Sequence, residues 1–248
     1  MSRISEVFKK NKTLIVFIMA GDPSLAKTEA LVYQIEAAGA DIIELGIPFS
    51  DSIADGVTIQ GAATRALNKG TTAADAIKLV KKIRKRSSIP LIFMTSFNIL
   101  SAYGVDKFAR ESKRAGVDGL IIPDLPVDAS GLIKKHGLDI VFLAAPNSSK
   151  EHIKMIAKRS SGFIYAVSIS GITGARANLH VQAKQTINKL HKLTRTPIAI
   201  GFGIKTPKQA KAAAKISDGV IVGSAIIDVI AKNKNVGRFV ANLKKAIS

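Results

Sequence analysis

Short apolar runs rich in β-branched residues alternate along this chain with longer stretches whose apolar positions recur at helical spacing. The runs are Leu14–Met19, Asp41–Leu45, Pro90–Met94, Gly119–Pro123, Asp139–Ala144, Phe163–Ser168, Pro197–Phe202 and Asp218–Val222. Apolarity that is continuous rather than alternating marks strands covered on both faces, as in a parallel sheet. Between them Lys27–Ala38, Ala73–Arg86, Val105–Ala115, Lys150–Ser160, Val181–Leu193 and Pro207–Lys215 read as helices, and Asn235–Ile247 closes the chain. Gly39 and Gly116 stand where a helix ends and a strand begins, so each is expected to supply a left-handed cap. Gly219 is expected to play a similar part. Thr206-Pro207-Lys208-Gln209 is a capping box with proline in the first turn, which starts a helix. Eight such units predict an α/β fold, a (β/α)8 TIM barrel with extra short helices. A doubly wound open sheet is the alternative. No linker rich in Pro, Ser or Gly divides the chain, so residues 1–248 are read as one barrel domain.

The length of 248 residues suits such a barrel, which typically needs roughly 250. With no cysteine, disulfides, thiolate metal sites and a cysteine nucleophile are excluded. No apolar run reaches the ~18–20 residues of a membrane helix, and the N-terminus lacks the apolar core of a signal peptide. These features predict a soluble, cytoplasmic protein. The net charge of +19, from 37 Lys+Arg against 18 Asp+Glu, is spread along helix faces. Aromatics, at 5%, do not interleave with the densest basic cluster, Lys81 to Arg86, as a stacking platform for nucleic acid requires. A solvated basic surface is the reading, and its field favours a phosphorylated small substrate.

In a barrel the chemistry lies where strands end. Glycines gather after the last three strands. Gly174, Gly203 and the pair Gly223-Ser224 would let backbone N–H groups approach an anion, with Gly223-Ser224 opening a short helix whose dipole favours it. Glu44 is an acid inside the apolar run Ile42-Ile43-Glu44-Leu45. Desolvation there raises a carboxyl towards the range useful for general acid–base work. The following loop carries Asp51 and Asp55, and Asp55 is placed to reach back over the barrel mouth towards Glu44. No lysine occupies a strand end, which argues against a Schiff base, and Lys205, past a glycine turn, is expected to face solvent. None of the four histidines sits at a strand end, so no metal site is expected.

Phe17-Ile18-Met19-Ala20-Gly21-Asp22-Pro23, Glu44-Leu45-Gly46-Ile47-Pro48-Phe49-Ser50-Asp51 with Ala54-Asp55-Gly56 and Thr58-Ile59-Gln60, and Gly116-Val117-Asp118-Gly119 through Ile121-Ile122-Pro123-Asp124-Leu125-Pro126 follow one another in the chain. So do Ser170-Gly171-Ile172-Thr173-Gly174, Gly201-Phe202-Gly203-Ile204 and Gly223-Ser224-Ala225-Ile226. In this order the set resembles the tryptophan synthase alpha subunit family over nearly the whole length. The resemblance implies a carbon–carbon lyase. Its reaction is the metal-free retro-aldol cleavage of indole-3-glycerol phosphate to indole and D-glyceraldehyde 3-phosphate, in tryptophan biosynthesis. It implies that Glu44 is the general acid–base, that Asp55 holds the indole N–H, and that Tyr165 lies near the reacting centre. Phe17, Met94, Ile121, Leu143 and Phe202 would line the indole pocket. Gly174, Gly203, Gly223 and Ser224 would bind the phosphate. It also implies an α2β2 heterotetramer with a beta subunit that carries pyridoxal phosphate, this chain itself holding no cofactor.

The chain departs from the family pattern in two places. Ser52 and Val57 stand where proline is common, and proline restricts a loop, so the loop around Asp55 is expected to be less constrained. Ser96, with Asn98-Ile99-Leu100, replaces a stretch bearing tyrosine and proline. A stand-alone indole-3-glycerol-phosphate lyase and a non-enzymatic basic binding protein on a barrel scaffold remain the alternative functions.

Overall fold

Every predicted run forms strand in the computed structural model, which describes residues 2–51, 55–167, 176–201 and 203–248 and, within these, every side chain but those of residues 128 and 176–181. The strands are β1 (Thr13–Met19), β2 (Ile42–Gly46), β3 (Leu91–Met94), β4 (Gly119–Ile121), β5 (Asp139–Val141), β6 (Leu143–Ala144), β7 (Ile164–Val167), β8 (Ile198–Gly201) and β9 (Gly219–Val222). The two short strands β5 and β6 come from the single run 139–144 and are separated only by Phe142. All pairings are parallel, in the order β5-β4-β3-β2-β1-β9-β8-β7-β6. The two ends of that order are neighbours along the chain, so the sheet curls into a nearly closed barrel rather than the open sheet held as the alternative.

Two apolar clusters follow from this closure. Ile15, Ile42, Ile92, Ile121, Val141, Tyr165, Ala199 and Ile221 each point inward from a different strand and fill the lumen. The opposite faces of the strands pack against the surrounding helices in a second, larger cluster. Two-sided burial is what the unbroken apolar runs encode.

The predicted helices are present, with ends shifted by a few residues. Leu25–Ala37, Ala73–Ile83, Val105–Ala115, Lys150–Arg159, Arg176–His191, Pro207–Ala214 and Val236–Ile247 cover the barrel. Gly39 and Gly116 adopt φ of +95° and +101°, the left-handed geometry expected of them. The Thr206 capping box forms with Gln209, with Pro207 in the first turn. Gly219 is a correction. It is the first residue of β9 rather than a helix end, and a Cβ there would meet the Phe8 ring at 2.9 Å. Its small size makes room for packing; it does not cap a helix.

Phe8 follows a short helix, Arg3–Val7, whose Ile4 is fully buried with the lumen residues. With the Phe8–Phe163 ring contact at 5.6 Å, this segment plugs the N-terminal end of the barrel. Arg3 and Arg84 both donate to the carboxylate of Asp118, each at 2.8 Å, and the same carboxylate accepts from the backbone N–H of Leu91. Arg84 also donates to the carbonyls of Gly116 and Ile89. It belongs to the basic cluster read as solvated, yet here it ties helix to strand. The other extra short helices are Phe97–Tyr103, the 3-10 turn Val127–Ser130, and Gly131–Lys134. Among the described residues no helix is long and apolar enough to cross a membrane.

Candidate active site

Glu44 lies in β2, in register with Phe17 of β1 and Ile92 of β3. Alternation along the strand puts it on the same inward face as Ile42. Its side chain is 1% exposed, and Oε1 has no hydrogen-bond partner among the described residues. Burial pushes the carboxyl up to about 8, because the charged form loses its hydration without compensation. A buried polar atom left unpaired is costly. Glu44 is one of the residues that line a cavity of about 270 Å³, with Asp55, Tyr165, Gly203, Gly223 and Ser224 among the others.

Asp55 comes to this cavity on the segment that enters the helix Val57–Leu67. Its carbonyl accepts from Nε2 of Gln60 at 2.9 Å. The helix it precedes is held from the far side, where Arg65 donates through Nε and Nη2 to both carboxylate oxygens of Asp22, each at 2.8 Å. Asp22 is buried at the end of β1. The acid of the first strand motif thus anchors the helix that presents the second acid. Val57, 84% exposed, sits at the rim.

Tyr165 enters from β7 and is buried in the lumen. Its hydroxyl is held well above the ordinary phenol range, first by burial and then by the negative charges of Glu44 and Asp55. The phenol is therefore neutral at working pH and is able to donate a hydrogen bond. Phe17 shares its wall with Gly46, where a Cβ would stand 2.7 Å from the ring.

The anion corner lines the same cavity. Gly203 turns with φ of +76°, and Gly223 is the N-cap of the helix Ser224–Ala231. The first-turn N–H groups of a helix have no intrahelical acceptor and carry partial positive charge. Lys205 is exposed, as expected, but also contributes to the cavity lining.

A second cavity, of about 410 Å³, adjoins the first and shares Phe17, Asp55 and Met94 with it. Its outer wall carries Thr95, Ser96, Asn98 and Asp124. Ser96 donates to Asp124 at 2.8 Å, and the same carboxylate accepts from the backbone N–H of Phe97.

Of the residues expected at the site, Glu44, Asp55, Tyr165, Gly203, Gly223, Ser224, Phe17 and Met94 converge on these cavities. Ile121 and Leu143 are not among the lining residues; Ile121 is buried in the lumen and Leu143 packs against that cluster. Gly174, Phe202 and Ser52 lie outside the described residues. Sequence reasoning assigned no role to Gln60, Arg65, Gly46 or Gly201. Gln60, Gly46 and Gly201 lie within the quoted motifs, but nothing in a linear pattern says which carbonyl or ring they serve. Among the described residues no group of three His, Asp or Glu side chains is arranged to hold a metal ion.

A parallel barrel with a dry carboxyl, a second acid and a glycine-lined anion corner at its strand ends defines an enzyme of carboxylate acid–base chemistry. Over residues 4–247 the chain matches the family model for the tryptophan synthase alpha chain, and it belongs to that family of lyases, which cleave indole-3-glycerol phosphate in tryptophan biosynthesis. It is 46% identical to the tryptophan synthase alpha chains of a Thermoanaerobacter species and of Dehalococcoides mccartyi. Those alignments cover all of this chain and 98% and 100% of the relatives. The crystal structure of tryptophan synthase subunit alpha from Legionella pneumophila superposes with a TM-score of 0.90 at 35% identity, covering 100% of this chain and 98% of that one. A tryptophan synthase structure from Mycobacterium tuberculosis gives 0.91 at 33% identity, covering 99% and 98%.

Proposed function

We propose that this chain performs the cleavage with Glu44 as the proton-transfer group, Asp55 facing the indole N–H, and Gly203, Gly223 and Ser224 holding the phosphate. Gly174 is the fourth phosphate residue. One observation carries the reading: a buried carboxyl with Oε1 unpaired, pushed up to about 8 by burial, lines the same cavity as a second acid and the glycine-bearing anion corner. Glu44 gives its proton to the ring carbon that bears the side chain, and the ring becomes cationic at nitrogen. The Asp55 carboxylate stabilises that charge. Glu44, now a carboxylate, takes the proton of the hydroxyl on the adjoining carbon. The O–H electron pair forms the aldehyde C=O, and the pair of the breaking C–C bond returns to the ring. Indole and glyceraldehyde 3-phosphate leave, and Glu44 is again protonated. The neutral phenol of Tyr165 borders the reacting carbons. Phe17 and Met94 flank the ring, and Ile121, Leu143 and Phe202 are the further apolar residues assigned to its pocket.

The reading extends to the assembly. The chain 1–248 acts as one barrel domain in the cytoplasm and pairs with a beta subunit in an α2β2 heterotetramer. Pyridoxal phosphate belongs to that partner, and this chain uses no cofactor or metal of its own. Family membership supports the pairing, and the exposed Val57 at the rim offers an apolar contact.

The test is indole release from indole-3-glycerol phosphate, with and without a beta subunit. Release that rises when the beta subunit is added is expected, with turnover abolished in Glu44→Gln and reduced about 100-fold or more in Asp55→Asn. Normal turnover in either variant removes that residue from the mechanism. Full activity without a beta subunit favours a stand-alone lyase.

A further inference from the structure

We infer that the 410 Å³ chamber beside the catalytic cavity is an extension of the substrate site that admits substituents on the benzo edge of the indole ring, with Ser96 and Asn98 setting its depth. This rests on the lyase reading above.

The two cavities fix the direction of the substrate. Gly203, Gly223 and Ser224 line only the smaller cavity. Phe17, Asp55 and Met94 belong to both. A substrate held by its phosphate at the glycine corner therefore reaches these three with its ring. The ring edge farthest from the phosphate looks into the larger chamber. Nothing on the anchoring side allows the opposite orientation, because the chamber has no anion-binding backbone corner among its described lining residues.

The chamber's size and chemistry suit a small substituent. A water molecule takes up about 30 Å³ of liquid, so a space of 410 Å³ holds a group of two or three heavy atoms with room to spare. Part of its lining is apolar, from Met19, Ile47 and Phe49. Another part is polar, from Thr95, Ser96, Asn98 and Asp124. Thr95 is 5% exposed, and its hydroxyl has no partner among the described residues. The side-chain amide of Asn98, also in this lining, is a donor for an ether or hydroxyl oxygen on the ring. A serine at position 96 leaves the space open where a large side chain would fill it, and Asn98 borders it from an exposed position in the first turn of the helix Phe97–Tyr103.

The experiment compares kcat/KM for indole-3-glycerol phosphate with that for its 5-methoxy and 6-methoxy analogues, in the wild type, Ser96→Tyr and Asn98→Trp. Expected is that the wild type cleaves at least one analogue within about tenfold of the parent, since contacts of this size are worth roughly 10–200-fold. Filling the chamber in either variant should then lower the analogue-to-parent ratio by about tenfold or more while the parent is still cleaved. Asn98→Trp is the second arm because Ser96→Tyr also removes the bond to Asp124. Discrimination above about tenfold against both analogues in the wild type, or a ratio unchanged in both variants, overturns the inference. No indole released from the parent by folded wild-type protein overturns the lyase reading itself, and the inference with it.

Discussion

A Cβ on Gly201 would lie 2.3 Å from the hydroxyl oxygen of Tyr165, so the absent side chain at the end of β8 is the space the phenol fills. The ring carbons Cζ and Cε1 would be nearly as close, at 2.7 and 2.8 Å, so the contact cannot be relieved by the hydroxyl alone. Gly201→Ala is expected to push the Tyr165 ring off its position beside Glu44. Misplacement of about 1 Å is enough to cost roughly 100-fold in rate, and overpacking costs about 1–3 kcal/mol in stability. Steady-state kinetics and thermal melting check both; unchanged kcat/KM would mean that Tyr165 has no part in the reaction.

The barrel was legible because its signal is repetitive. Eight apolar runs and glycine-capped helices such as Val105–Ala115 state the architecture many times over. The split of 139–144 into β5 and β6 was not legible, because one residue out of register leaves no mark on an apolar run. The helix Arg3–Val7 is too short to display a period. Glu44 stood out as a charge in an apolar strand, and Asp55 by its distance from it. Arg84 was misread because a cluster of five basic residues looks uniformly solvated in sequence; only the fold brings Asp118 beneath one of them. Ile121 and Leu143 belong to the pocket by resemblance, and how far each reaches towards the ring depends on its depth along the strand, which sequence does not give.

Glu44 sets function against stability, and the sign can be worked out. In the folded chain the carboxyl holds its proton up to about 8, whereas the unfolded chain releases it near its ordinary value of about 4.5. Between those values the folded state binds one more proton, so raising the pH favours unfolding, by up to about 1.4 kcal/mol per pH unit. Glu44→Gln removes this slope. The inactive variant should match the wild type near pH 4.5 and exceed it by a few kcal/mol above about pH 8. Denaturant melts across this range check the difference. The wild-type kcat/KM should fall on the alkaline side of about pH 8 as the acid form is lost. Parallel stability curves for the two proteins would show that Glu44 is not buried as a neutral acid.

Asp118 concentrates the fold's electrostatics at the other end of the barrel. It is buried and holds Arg84, Arg3 and the Leu91 N–H at once. Removing a buried partner leaves an uncompensated charge, here the guanidinium of Arg84, whose side chain is 13% exposed, at a cost of about 3–5 kcal/mol. Asp118→Ala is expected to lose stability on that scale while the folded fraction keeps its kcat. Arg3→Ala, at a side chain about half exposed, should cost no more than about 1 kcal/mol. Equal losses for the two variants would contradict this division.

Ser224 allows phosphate binding to be separated from stability, because the two respond to a negative charge with opposite signs. It is the first residue of the helix Ser224–Ala231, where an acidic side chain is favoured by the helix dipole by roughly 0.3–1 kcal/mol. The same charge would repel a phosphate seated against Gly203 and Gly223. Ser224→Asp should therefore keep or slightly raise the melting temperature. Its KM should rise by about tenfold or more, with kcat at saturation largely retained, the pattern of lost uniform binding. Inhibition by inorganic phosphate should weaken in step with KM. A variant that melts normally and binds substrate normally would place the phosphate away from this helix, and the direction assigned to the indole ring across the two cavities would fall with it.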